Sequence, residues 1–345
     1  MNRRRFLALS AVGAVGATSA TIYYQASKPP KWPLSLPAGY ADSGFDSDST
    51  AESVTEGLDL SGKTILVTGC NSGMGYETMR VLAKRGAHVI GTGRTREKAE
   101  AACASVGGRT TALVMELMDP ESVMKCAEDM LALGIPLDGL VLNAGISGRP
   151  EKKLVHGIEK TFYVNFLGHF LFANKVLPAV EASKQGRIVH VSSSAAYSRP
   201  PAAGIRFEAL GKSDAGREYE GWEAYGQSKL ANALFSLKLA KKYENSSVTS
   251  NALHPGLVNT NISRGMDWGT RTAFRVLGPV VARNVGEGSA THCFAAVHSD
   301  MENVSGQFLY DSNPVSVGGK NHLENHELAD RLWAYSEDVF KQYLA

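Results

Sequence analysis

The sequence predicts a single α/β domain built on a doubly wound parallel sheet. Short apolar runs at Thr64 to Val67, His88 to Gly91, Ala112 to Met115, Gly139 to Leu142, Ile188 to Val191, Val248 to Leu253 and Phe308 to Tyr310 alternate with longer helical patterns. Runs of this kind are what parallel strands joined by crossover helices require, because both faces of the sheet are covered. Size agrees: 345 residues bury one full core, and 43% hydrophobic with 20% charged residues is an ordinary globular balance. No internal repeat interrupts the pattern.

Residues 1–56 are of different composition. Arg3-Arg4-Arg5-Phe6-Leu7 precedes an apolar stretch ending near Tyr24, and no acidic residue occurs before Asp42. Residues 1–26 therefore read as a targeting or anchoring segment outside the fold. The start resembles a bacterial twin-arginine signal, with Thr18-Ser-Ala20 as a cleavage site. An uncleaved membrane anchor and an organelle transit peptide fit the same composition. Pro29, Pro30, Pro33 and Pro37, followed by Ser/Asp-rich sequence to Glu56, make residues 27–56 a disordered linker in this reading, ahead of a domain over 57–345.

The first strand runs into closely spaced glycines, Lys63-Thr-Ile-Leu-Val-Thr-Gly69-Cys-Asn-Ser-Gly73-Met-Gly75, and then into a helical pattern through Lys84. A strand, turn and helix start of this kind presents backbone N–H groups to a phosphate, and glycines let it approach. The spacing departs from Gly-x-Gly-x-x-Gly, and on its own it also fits a plain βα turn. Further along, Tyr225 and Lys229 in Ala-Tyr-Gly-Gln-Ser-Lys-Leu-Ala-Asn are four positions apart, which puts them on one helix face. A free phenol ionises near pH ~10, and a neighbouring ammonium favours the phenolate, so the pair suits acid/base catalysis. The same spacing occurs on ordinary amphipathic helices.

Thr68-Gly-x3-Gly-x-Gly75, Asn143-Ala-Gly145, Ser193 after a strand, Tyr225-x3-Lys229 and Pro255-Gly256 occur in the order found in short-chain dehydrogenases/reductases. The chain resembles that family over roughly residues 58–345. The stretches Tyr225 to Asn232 and Leu253 to Asn261, with Glu287-Gly-Ser-Ala-Thr and Leu328-Ala-Asp-Arg-Leu-Trp333, resemble its retinol dehydrogenase, WW-domain oxidoreductase and Tic32-like branch. The resemblance implies a Rossmann-type sheet and a nicotinamide dinucleotide held by Gly69, Asn71, Ser72, Gly73, Met74 and Gly75, by Asn143, Ala144 and Gly145, and by Pro255, Gly256, Val258 and Thr260. Glu116 and Leu117 stand where relatives commonly carry Asp-Leu beside the adenine. The second strand ends in Arg94 and Arg96 without the acidic residue that would take a ribose diol, which favours NADP over NAD. These arginines also fit solvated loop charges.

By the same resemblance, Tyr225 exchanges a proton with the substrate oxygen and Ser193 hydrogen-bonds that oxygen. Lys229 grips the nicotinamide ribose, and Asn165 supports a water-mediated proton path to it. The stretch Arg199 to Glu223 is expected to rim the active site. A segment carrying Met266, Trp268, Phe274, Val276, Leu277, Val280 and Val281 among arginines is expected to cover a small lipophilic carbonyl or alcohol, retinoid-like or a fatty aldehyde, with membrane association. No metal is called for, and a net charge of +2 without a basic stripe beyond the N-terminus argues against nucleic acid. The oligomeric state is left open. A non-catalytic NADP-binding redox sensor or membrane-complex scaffold is the alternative.

Overall fold

Successive side chains of a strand leave on opposite faces, so a strand apolar at every position belongs inside a three-layer fold. The computed structural model describes residues 32–148, 151–211, 218–258 and 282–344. Its strands are β1 (Leu34–Ser35), β2 (Thr64–Val67), β3 (His88–Gly93), β4 (Thr110–Val114), β5 (Gly139–Leu142), β6 (Leu154–Val155), β7 (Ile158–Glu159), β8 (Arg187–Val191), β9 (Thr249–His254), β10 (Phe308–Tyr310) and β11 (Asn313–Val317). All but β6 and β7, which pair with each other, form one sheet in the order β1-β11-β10-β9-β8-β5-β2-β3-β4. From β10 to β4 the strands are parallel, while β11 and β1 add antiparallel edges.

The helices are α1 (Gly73–Lys84), α2 (Arg96–Ala104), α3 (Pro120–Ala132), α4 (Gly168–Glu181), α5 (Ala195–Ser198), α6 (Gly221–Lys242), α7 (Val285–Gly288), α8 (Ala290–Val297), α9 (His326–Val339) and α10 (Lys341–Leu344). A helical turn, Lys160–Phe162, and a π-helical stretch, Tyr163–Leu167, lead into α4. Local chemistry sets the starts: Asp119 caps α3 with Pro120 at its first position, and Asn284 and Glu287 form a reciprocal box on α7. Leu66, Ile90, Leu140, Leu142 and Ile188 pack against α3, α4, α6 and α9, whereas Ile65, Val67, Val89, Val141 and Val189 face α1 and α8. The chain winds outward through β3 and β4, then returns to the other side of β2 with β5. A crevice opens at the carboxyl ends of strands at such a reversal.

Each run predicted as a strand is one, displaced at its ends by at most two residues. The antiparallel edges β1 and β11 carry no such signal. Residues 32–56, read as disordered linker, instead belong to the fold, and residues 27–31 lie outside the described residues. Leu34 pairs with Val317, Phe45 packs edge-on against Phe294, and Ala51 and Val54 are buried among α1 and α8 residues. Glu52 binds Arg80 at 2.9 Å and Lys84 at 2.9 Å. The Ser/Asp composition misled because these side chains, though exposed, close local turns that bring the buried residues to the surface of α1 and α8: Asp46 accepts from Asp48 N and Ser49 N, and Asp42 from Gly44 N. Among the described residues no helix is long and apolar enough to cross a membrane, and residues 1–26 lie outside them.

A chain beginning at residue 57 is expected to melt well below one beginning at residue 32. The loss should reach about 3 kcal/mol, since full burial of a side chain such as Val54 is worth about 2 kcal/mol. Superimposable melting curves would show that the segment merely rests on the surface.

Candidate active site

At the carboxyl end of β2 the chain must turn within a few residues of β5. Gly69 there has φ +73°, and a Cβ on Gly75 would lie 2.4 Å from both Asn143 Nδ2 and Gly69 O. These glycines are therefore required by packing of the loop on itself and on β5, in addition to any ligand. Asn143 donates from its backbone to Thr68 Oγ1 at 2.9 Å and from Nδ2 to Thr68 O at 2.8 Å. The N-terminus of α1 has no side-chain cap: Ser72 makes no capping bond, so the helix amides at Gly73 to Gly75 face the crevice.

The crevice is a cleft of about 700 Å³. Gly69, Asn71, Ser72, Gly73, Met74, Gly75, Arg94, Glu116, Leu117, Asn143, Ala144, Gly145, Ser193, Tyr225, Lys229, Pro255, Gly256 and Val258 all line it. Asn165 does not; it is wholly buried behind the wall. Thr260 lies outside the described residues, as does the segment from Met266 to Val281 expected to cover the substrate. Arg94 makes no hydrogen bond or ion pair with a described residue, whereas Arg96 is turned to Glu100 at 3.4 Å and lies outside the cleft. Glu116 folds its carboxylate back to accept from Met118 N at 3.1 Å.

The capped start of α6, where Glu220 accepts from Trp222 N at 3.0 Å, sets the helix that carries Tyr225 and Lys229. Lys229 Nζ donates to Val191 O at 2.8 Å and lies 5.7 Å from the centroid of the Tyr225 ring. Asn165 Oδ1 accepts from Ile146 N at 2.7 Å, and its Nδ2 donates to Ser228 Oγ at 2.9 Å. The stretch after Arg199 folds back on α6, with Arg206 bonded to Glu223 at 2.7 Å; residues 212–217 of it lie outside the described residues. Arg199 at its start and Trp222 next to its end line the cleft, whereas Glu223 does not.

Electrostatics departs from the expectation. Burial pushes the Tyr225 phenol up to about 12, and a Ser193 hydrogen bond opposes this only in part. Burial pulls Lys229 down to about 8. The lysine sits beside the ring and spends one donor on Val191, and removal of the phenol from water outweighs its charge. Trp222, edge-on to Tyr225 with centroids 5.8 Å apart, also lines the cleft, as do Ile146, His254 and Leu257. Position three before Tyr225 on the same helix and position one before Pro255 were the signals available for Trp222 and His254.

A family model described as short chain dehydrogenase matches residues 63–205. The chloroplastic short-chain dehydrogenase TIC 32 A of Brassica napus is 36% identical over 306 residues, covering 85% of this chain and 93% of that protein. Retinol dehydrogenase 12 of Mus musculus is 34% identical over 287 residues, covering 82% of this chain and 87% of the relative. A solved structure from Mycobacterium paratuberculosis superposes with a TM-score of 0.65 at 29% identity, covering 84% of this chain and 97% of the other.

Four of the five buried histidines give the domain an acid limit. His169 is lowered to about 4 and His190, His254 and His292 to about 3, in each case first by burial. Unfolded, such rings protonate near pH ~6.5. Between that pH and their folded values the unfolded chain binds more protons, so stability must fall as pH falls. The melting temperature is expected to drop steeply from about pH 6.5 to about pH 3; a flat profile there would contradict the burial of these rings.

Proposed function

The chain belongs to the short-chain dehydrogenase family of oxidoreductases, and on that premise we propose that it interconverts a lipophilic carbonyl and its alcohol with NADP(H). The observation that carries this reading is the meeting of Tyr225, Ser193 and Lys229 in one cleft with Arg94, unpaired among the described residues, and an uncapped helix N-terminus. The donor set fits a dinucleotide: amides for a pyrophosphate, a guanidinium for a 2′-phosphate, and a lysine for ribose hydroxyls.

A nicotinamide dinucleotide bound there supplies or takes up the hydride. Tyr225 holds the proton that passes to or from the substrate oxygen, and its raised pKa keeps it loaded for reduction. Ser193, within hydrogen-bonding reach of that phenol, orients the same oxygen. An ammonium has three donors, and Lys229 spends one on Val191 O, which leaves two for ribose hydroxyls. Its charge then favours the phenolate left after transfer. Trp222 and the 54% exposed Leu257 offer apolar surface at the cleft, and the similarity to a retinol dehydrogenase supports a lipophilic substrate. Among the readings of residues 1–26, delivery to an organelle is the one that the chloroplastic relative supports.

The test uses the purified full chain with NADPH, presented with retinal, long-chain aldehydes and short polar ketones. Tyr225→Phe is expected to lower turnover by about 10²- to 10⁴-fold, with NADPH affinity changed less than about threefold because no phosphate contact is lost. Preference for short polar ketones would remove the lipophilic assignment. Tight NADPH binding without turnover of any carbonyl would favour the redox sensor or scaffold. Separately, Arg94→Ser is expected to reduce the preference for NADPH over NADH by about tenfold or more, the worth of a charge-assisted bond. An unchanged ratio would place the 2′-phosphate elsewhere.

A further inference from the structure

His169 is a buried imidazole in the run Phe166-Leu-Gly-His-Phe-Leu-Phe172, where every other side chain is apolar or absent. Its bonding can be worked out from its neighbours. Thr68 Oγ1 accepts the amides of Asn143 and Ala144, each at 2.9 Å, and lies 3.0 Å from His169 Nε2. A hydroxyl has two lone pairs and one proton. With both lone pairs engaged, the Thr68 proton points at Nε2, which must be bare. The ring proton is then on Nδ1, 3.2 Å from the carbonyl of Asn165. Burial, which pulls this imidazole to about 4, keeps it neutral.

The connection continues past Asn165. Its Nδ2 donates to Ser228 Oγ at 2.9 Å, and Ser228 Oγ donates to Tyr225 O at 2.7 Å. We propose that His169 is a positioning residue for the reaction. As an Nδ1–H imidazole it ties the ends of β2 and β5 to the turn carrying Asn165, and through Asn165 and Ser228 to the Tyr225 end of α6. The inference rests on the reading of Tyr225 as the proton donor. A phenylalanine at 169 would fill the space equally well but would leave the Thr68 hydroxyl and the Asn165 carbonyl without this link.

The test uses the full chain. His169→Phe is expected to lower kcat by about ten- to a hundredfold, the scale of a small misplacement of reacting groups, while NADPH affinity stays within about threefold because the loop amides are untouched. His169→Asn, whose amide can still reach the Asn165 carbonyl, should recover part of the loss. Thr68→Val, which also frees the Asn143 and Ala144 amides, should lower kcat at least as far as His169→Phe and weaken NADPH binding besides, and adding His169→Phe to it should lower kcat little further. A long-range proton–nitrogen spectrum of histidine-labelled protein should show the Nδ1–H tautomer at His169, a readout independent of turnover. Wild-type kcat in His169→Phe, or an Nε2–H tautomer, would overturn the proposal. So would a parallel fall of kcat, NADPH affinity and melting temperature in both His169 variants, which marks packing alone. Absence of turnover in the unaltered chain, with the Nδ1–H tautomer present, would count against the reductase reading instead.

Discussion

The hydroxyl of Thr68 holds the two strands on which the cleft depends. It takes the amides of Asn143 and Ala144 at the point where the sheet reverses between β2 and β5. Parallel strands diverge at their carboxyl ends unless something joins them, and a reversal leaves no crossover helix above the gap. One side-chain oxygen accepting two amides closes that gap without filling it. The loop with Gly69 and Gly75 can then pack on Asn143 while α1 keeps its amides open.

A second constraint is charge. Lys229 is 4% exposed and its ammonium has one partner among the described residues, the carbonyl of Val191. Taking a cation out of water costs stability, and the fall of its pKa to about 8 expresses that cost. Structural lysines avoid such positions. A buried ammonium with two donors unused among the described residues, beside a buried phenol, is therefore strained in the electrostatic sense, the kind of strain that ligand oxygens would relieve.

The sheet was legible because parallel strands are apolar on both faces, and Tyr225 with Lys229 because a helix repeats every four residues. Gly75 was legible as a glycine but for an incomplete reason: its place is required by Asn143 and Gly69 as well as by a ligand. The direction of the Tyr225 shift was not legible, since burial is a property of the assembled fold and outweighs the neighbour that spacing reveals. Residues 32–56 were hidden by composition: a few small buried side chains, Ala51, Val54 and Thr55, carry the packing, and polar residues around them close turns. Trp222 and His254 reach the cleft from ordinary-looking positions, a consequence of where α6 starts and β9 ends.

The edge formed by β1 and β11 has a bearing on how the chain comes to be folded. Ser43 N reaches Asn313 Oδ1 across 270 positions, and Leu34 pairs with Val317. Strand β1 thus has no strand partner until β11 has been synthesised, although Trp32 beside it meets Tyr197 earlier. Contacts so distant in sequence form late and slowly. Until β10 and β11 follow, the edge at β9 is bare, and its exposed backbone groups are open to pairing with another chain. Completion of the sheet therefore waits for β11, the last described strand, which closes the edge together with β1, the first.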